Sequence, residues 1–75
     1  MYEINSLRYY ECAIIGTSFV FSYSSKLNIK PFDIVLVTLR SYPKKAIVLK
    51  EIAKPNFKCI DILEIIYSPT QKEIE

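Results

Sequence analysis

Between Tyr9 and Ile66 the apolar residues come in short runs dominated by isoleucine, valine, tyrosine and phenylalanine. These β-branched and aromatic types suit a pleated, half-buried surface. Tyr9 to Ile15 (YYECAII) predicts a first strand, ended by the sole glycine, Gly16. Ser18 to Ser22 (SFVFS) predicts a shorter one, with Phe19 and Phe21 on one face and Val20 on the other. Ser24-Ser25-Lys26 breaks the pattern, and Leu27 to Ile29 leads into Lys30-Pro31. Asp33 to Leu39 (DIVLVTL) is the strongest strand of the chain. Lys45 to Ile52 (KAIVLKEI) is the next, and Arg40 to Lys44 between them reads as a hairpin loop. Ile60 to Ile66 (IDILEII), bounded by Pro55-Asn56 and Ser68-Pro69, predicts the last.

Short strands joined by tight loops imply an all-β fold: a small antiparallel β-barrel or rolled sheet of four to six strands. The tail carries a different signal. Ser68-Pro69-Thr70-Gln71 places serine at an N-cap, proline at the first helical position and glutamine at N3, a capping-box start for a helix. The chain ends four residues later, and so short a helix cannot sustain itself. The expectation is therefore a β-barrel-like domain over residues 1–67. Residues 68–75 would begin a truncated C-terminal helix, the linker to a missing downstream domain.

Composition narrows the function classes. At 75 residues the chain holds one compact unit at most, burying about 60% of the surface it exposes when unfolded. An apolar fraction of 51% with a single glycine excludes disordered, collagen-like and linker sequences. The longest uncharged run, Cys12 to Ser25, includes a glycine and several serines and falls short of the roughly 20 apolar residues that span a bilayer. Met1-Tyr2-Glu3 opens no basic-then-apolar leader. Two cysteines without a CxxC spacing, and no histidine, leave no metal-ligand set and no catalytic arrangement. A reduced, cytoplasmic protein without catalysis or a cofactor of its own is expected.

The net charge of +2 hides a strong asymmetry. Residues 26–58 carry Lys26, Lys30, Arg40, Lys44, Lys45, Lys50, Lys54 and Lys58 against Asp33 and Glu51, a net of +6 between two acidic ends. Arg40, Lys44 and Lys45, with Tyr42 among them, suit phosphate contact and stacking on a hairpin tip. The alternative is a hairpin whose charges protect it from edge pairing. Cys12 and Cys59 read as small core residues. Asp33, Glu51 and Glu64 read as solvated or ion-paired.

The order of these features resembles a known family. A first strand ending Ile-Ile-Gly leads to Phe21-Ser22-Tyr23. A lysine-bearing lead-in precedes a hydrophobic strand (IKPFDIVLVTL) and a basic hairpin tip. Then come Ile47-Val48-Leu49-Lys50-Glu51 and the run Lys54-Pro55-Asn56-Phe57-Lys58-Cys59 ahead of Ile62-Leu63-Glu64-Ile65. Over residues 9–67 this resembles the N-terminal DNA-binding domain of the PriA-type primosomal helicases (primosomal protein N′). The resemblance implies a module that engages branched or forked DNA near the 3′ end of the nascent leading strand during replication restart. Its parent would be an ATP-dependent helicase using magnesium and carrying zinc. Single-strand-binding protein and other primosome proteins would be partners, and no membrane is involved.

In the family's pocket an aspartate between phenylalanine and tyrosine accepts a hydrogen bond from the terminal 3′-hydroxyl. Here Phe21 and Tyr23 match and Ser22 takes the middle place, able to accept the bond without the gain of a full charge. The family's glycine after the central strand falls near Arg40-Ser41, and its lysine before the last strand falls at Ile60. The implied DNA-binding set is Phe21, Ser22, Tyr23, Arg40, Ser41, Lys44 and Lys45. Phe21 and Tyr23 either stack on an unpaired base, at about 1–3 kcal/mol per base, or fill the barrel's core. A protein-interaction barrel, docking a replication partner or a neighbouring domain of the same protein, is the alternative function.

Overall fold

The computed structural model describes residues 7–68. They form six strands: β1 (Arg8–Ile14), β2 (Val20–Ser25), β3 (Ile34–Leu39), β4 (Tyr42–Ile52), β5 (Ile60–Asp61) and β6 (Glu64–Tyr67). The strands make one curled sheet in the order β5-β2-β1-β4-β3-β6, a half-barrel. The all-β fold is as expected. One detail differs: β5 runs parallel to β2, so the sheet is mixed rather than antiparallel. The helix expected to start at Ser68 lies on residues 69–75, outside the described residues.

Alternation along the strands builds the concave face. Tyr10, Cys12 and Ile14 of β1, Tyr23 of β2, Val35 and Val37 of β3, and Ala46 and Val48 of β4 are all buried there, capped by Ile29 and Ile62 from the connections. A core this small depends on satisfying its polar atoms. Tyr10 does so by donating its hydroxyl proton to Leu27 O (3.0 Å) and accepting from Ile29 N (3.1 Å). The connection between β2 and β3 is thereby tied to the middle of β1.

Three expected boundaries shift, each for a physical reason. Ser24-Ser25 does not break β2 but completes it. Both serines are buried; the Ser24 hydroxyl bonds Asp61, and the Ser25 hydroxyl accepts from Leu27 N. The β3–β4 loop shrinks to Arg40-Ser41, because Pro43 enters β4 opposite Thr38. Lys45 turns its carbonyl toward β1, where Ile15 N donates to it (3.0 Å). Pro43, two residues earlier, points its N–H-less nitrogen to that same side, beyond the end of β1, so no ladder bond is lost.

The run Ile60 to Ile66 is two strands rather than one. β5 pairs with β2 and β6 with β3, at opposite edges of the sheet. Between them Ile62 N donates to Ser24 O (2.7 Å) and Leu63 N donates to Leu36 O (2.8 Å). Two successive residues thus lace the two edges together and curl the sheet. Asp33 also departs from expectation. It is buried at 2% exposure and is neither solvated nor ion-paired. Its carboxylate accepts from Lys30 N (3.0 Å) and from the Ser68 hydroxyl (2.7 Å). Glu51 does pair, with Arg8 at 3.6 Å.

Candidate functional site

A cleft of about 410 Å³ opens beside the laced edges. One rim is β2, which contributes Phe21, Ser22 and Tyr23. The opposite rim is the end of the β3–β4 hairpin, with Thr38, Leu39 and Arg40. The segment entering β5 closes a third side with Phe57, Lys58, Cys59 and Ile60. Three stretches far apart in the chain meet here because the seam at Ile62-Leu63 pulls both edges of the sheet to one place.

Each wall has a local cause. β5 pairs with β2 only at Tyr23 and Ser24, so ahead of Tyr23 that side of β2 has no ladder partner and its backbone edge faces the cleft. Phe21 lies opposite Cys12, and Tyr23 opposite Tyr10, across the β1–β2 register. Both therefore face the concave side, yet they differ in depth. Tyr23 is 3% exposed and Phe21 40% exposed. Tyr23 donates its hydroxyl proton across the mouth to Thr38 O at 3.4 Å, and burial, then the neighbouring Cys12 thiol, pushes its pKa up. Core and pocket were alternatives for these residues. Tyr23 is both core and floor, while Phe21 keeps a free surface and stands against Phe19 with ring centroids 5.9 Å apart.

Ser22 opposes Glu11 and so lies on the other face of β2 from Phe21 and Tyr23. It reaches the cleft from the strand's open edge and is half-buried. On the facing rim, Arg40 and Ser41 form a two-residue turn with φ of 54° and 74°. Such a turn matches the twist of a hairpin but needs left-handed backbone at both positions, which glycine or asparagine usually supplies. Arg40 therefore stands at the cleft's lip on strained backbone.

The expected cationic cluster is corrected in part. Arg40 lines the cleft and Ser41 is beside it on the turn, but Lys44 and Lys45 do not share the tip. They lie within β4 opposite Val37 and Leu36, and alternation sends their side chains to opposite faces of the sheet. Neither lines the cleft. The second cation there is Lys58, with the 60%-exposed ring of Phe57 next to it. The signal for both in the sequence is an aromatic adjacent to a lysine in a polar, proline-broken segment, Lys54 to Cys59. Ile60 lies on the cleft wall at 55% exposure, and Lys58 supplies charge two residues before it.

Of the cysteines, Cys12 is core as expected, its thiol pushed up to about 12 by burial and then by Glu11. Cys59 is instead a half-buried part of the cleft wall. Among the described residues no group of three or more histidine, cysteine, aspartate or glutamate side chains could hold a metal ion. No helix among them is long and apolar enough to cross a membrane. Comparison with known proteins gives no match: no family model, no curated protein and no solved structure is similar to this chain.

Proposed function

We propose that this domain binds nucleic acid, taking an unpaired terminal base into the cleft between β2 and the β3–β4 hairpin. One observation carries the reading. An exposed aromatic (Phe21), a buried one that floors the mouth (Tyr23) and two cations (Arg40 and Lys58) converge on one cleft from three separate parts of the chain. An apolar face for stacking with cations at its lip is the arrangement that single-stranded ends favour. The ordered resemblance to the DNA-binding domain of PriA-type helicases supports DNA forks, and their 3′ ends, as the ligand. In that role Ser22, at the open edge, accepts from the terminal hydroxyl.

The test is fluorescence anisotropy at low salt with two labelled forks, one ending in a free 3′-hydroxyl and one phosphorylated there. The reading expects binding of the free-hydroxyl fork, weaker binding of the phosphorylated one, and loss of about tenfold in affinity in Arg40→Glu, in line with the salt-dependent energy of phosphate contacts. Equal affinity for both forks would leave a backbone-binding surface without end recognition. No binding to either would sink the reading.

A protein-docking role is favoured by a different region. Leu63, Ile65, Ile66 and Tyr67 on and beside edge strand β6 are 36–55% exposed, and an open edge strand with apolar side chains is a ready partner for another strand. Arg40→Glu separates the two roles, because Arg40 lies in the turn four residues past Leu36, the last β3 residue paired with β6, and its replacement leaves that edge intact.

A further inference from the structure

On the other side of the Phe57–Ile60 segment lies a second, larger cleft of about 920 Å³, which the proposed end-binding pocket does not use. The two clefts share Phe57, Lys58, Cys59 and Ile60 as a common wall. All but Ile60, which opens β5, belong to the stretch between β4 and β5, residues 53–59, which has no strand structure. Beyond the wall stand Lys54, Asn56 and Tyr9. The acidic group on this side is Asp61, whose carboxylate is engaged by the Ser24 hydroxyl.

We infer that the two clefts form one path, and that the nucleotides preceding a terminal base held in the first cleft cross Phe57 and continue into the second. This rests on the reading of the first cleft as a nucleic-acid pocket. Continuity of the wall is one argument, since a polymer leaving the first cleft past Phe57 enters the second directly. Chemistry is the other. Lys54 and Lys58 flank Phe57, and Tyr9 and Asn56 add a further ring and an amide. Cations alternating with aromatic faces fit a single strand, whose phosphates and bases alternate in the same way. Leu7 and Pro55 add apolar surface beside these rings, on which bases can rest.

The expected behaviour depends on ligand length. A dinucleotide of thymidine with a free 3′-hydroxyl occupies the first cleft alone, whereas a longer oligothymidylate occupies both. Lys54 is exposed, so its replacement does not threaten the fold. With labelled oligothymidylates in anisotropy titrations, Lys54→Glu should weaken the long oligomer by about tenfold and leave the dinucleotide unchanged. Lys54→Ala should lower the slope of log affinity against log salt for the long oligomer by about 0.7, the share of one phosphate contact on a single strand. Arg40→Glu should weaken both ligands. If both Lys54 variants bind the long oligomer like the wild type while Arg40→Glu weakens it, the second cleft is off the path and the pocket reading stands. If the wild type binds neither ligand at low salt, the path and the pocket reading fail together.

Discussion

The two hairpins of the sheet are built from the same parts but spend them differently. β1–β2 and β3–β4 each bury alternate apolar residues on the concave face, and each is closed by a turn that needs left-handed backbone. In the first, glycine supplies it: Gly16 has φ of 90°, and Thr17 secures the turn by donating to Ile14 O (3.0 Å) and accepting from Phe19 N (3.0 Å). In the second, Arg40 and Ser41 adopt φ of 54° and 74° without glycine and with no side-chain bond of that kind to hold them. Residues 15–19 of the relaxed turn do not line the cleft, and the strained turn forms its lip. In the proposed role the strain retained at Arg40 fits a position kept for its side chain, where a glycine would have relieved the turn.

The contrast can be broken at its link or sharpened at either turn. The largest effect is expected from Tyr10→Phe. Losing the hydroxyl removes the tie between the first hairpin and the connection leading to the second, leaving Ile29 N–H and Leu27 C=O without it. A cost of about 2 kcal/mol is expected for buried groups left unsatisfied, read as a lower midpoint in urea unfolding.

Gly16→Ala comes next. A Cβ there meets nothing within 4 Å, so the cost is the backbone's alone, about 1 kcal/mol. In a domain of this size that lowers Tm by about 4–8 °C, measurable by thermal melting. Ser41→Gly should act with the opposite sign. Relief of the left-handed strain outweighs the extra freedom glycine gives the unfolded chain, for a net gain of about 0.5 kcal/mol. If Gly16→Ala and Ser41→Gly shift Tm in the same direction, the distinction between a relaxed and a strained turn is wrong.

Near pH 9 the smallest effect is a titration within the first hairpin. Below pH 9 the Cys12 thiol is protonated in both folded and unfolded chains. Between the ordinary value of 9.0 and about 12 only the unfolded chain releases the proton, so stability falls as pH rises. At pH 9 the loss is about 0.4 kcal/mol, growing toward a limit of about 1.4 kcal/mol per pH unit. Unfolding titrations of Cys12→Ala against wild type isolate it: the variant should lack this part of the alkaline slope.

What the sequence made legible follows from how local each cause is. β1, β3 and β4 announce themselves through alternation and β-branched residues, which depend on nearest neighbours only. Ser24-Ser25 misleads because serine is a turn former by local chemistry, while here its partner, Asp61, lies 37 positions away. The division of Ile60 to Ile66 into two strands is equally invisible, since no residue in that run marks the crossing; only the opposite edge explains it. Of the residues lining the cleft, Phe21 and Tyr23 were singled out through the resemblance and Arg40 through its charge beside a hairpin loop. The separation of Lys44 from Lys45 was not legible, because adjacency in sequence looks like clustering until a strand separates consecutive side chains. Lys58 was legible as charge but not as a wall of the cleft, which exists only after the seam forms.

That seam also sets a clock. Each hairpin joins residues close in sequence, whereas Ile62 and Leu63 must find Ser24 and Leu36 across loops of tens of residues, a larger entropic cost to close. By sequence separation the lacing and the β1–β4 pairing both close after the hairpins, and the lacing, held by single backbone bonds, is expected to open first in the folded protein. A ligand of the proposed kind, spanning the rims, would hold shut the closure that created its own cleft. Occupancy would then be written in time, as slowed exchange of the Ile62 and Leu63 amide protons, while the two hairpins exchange as before.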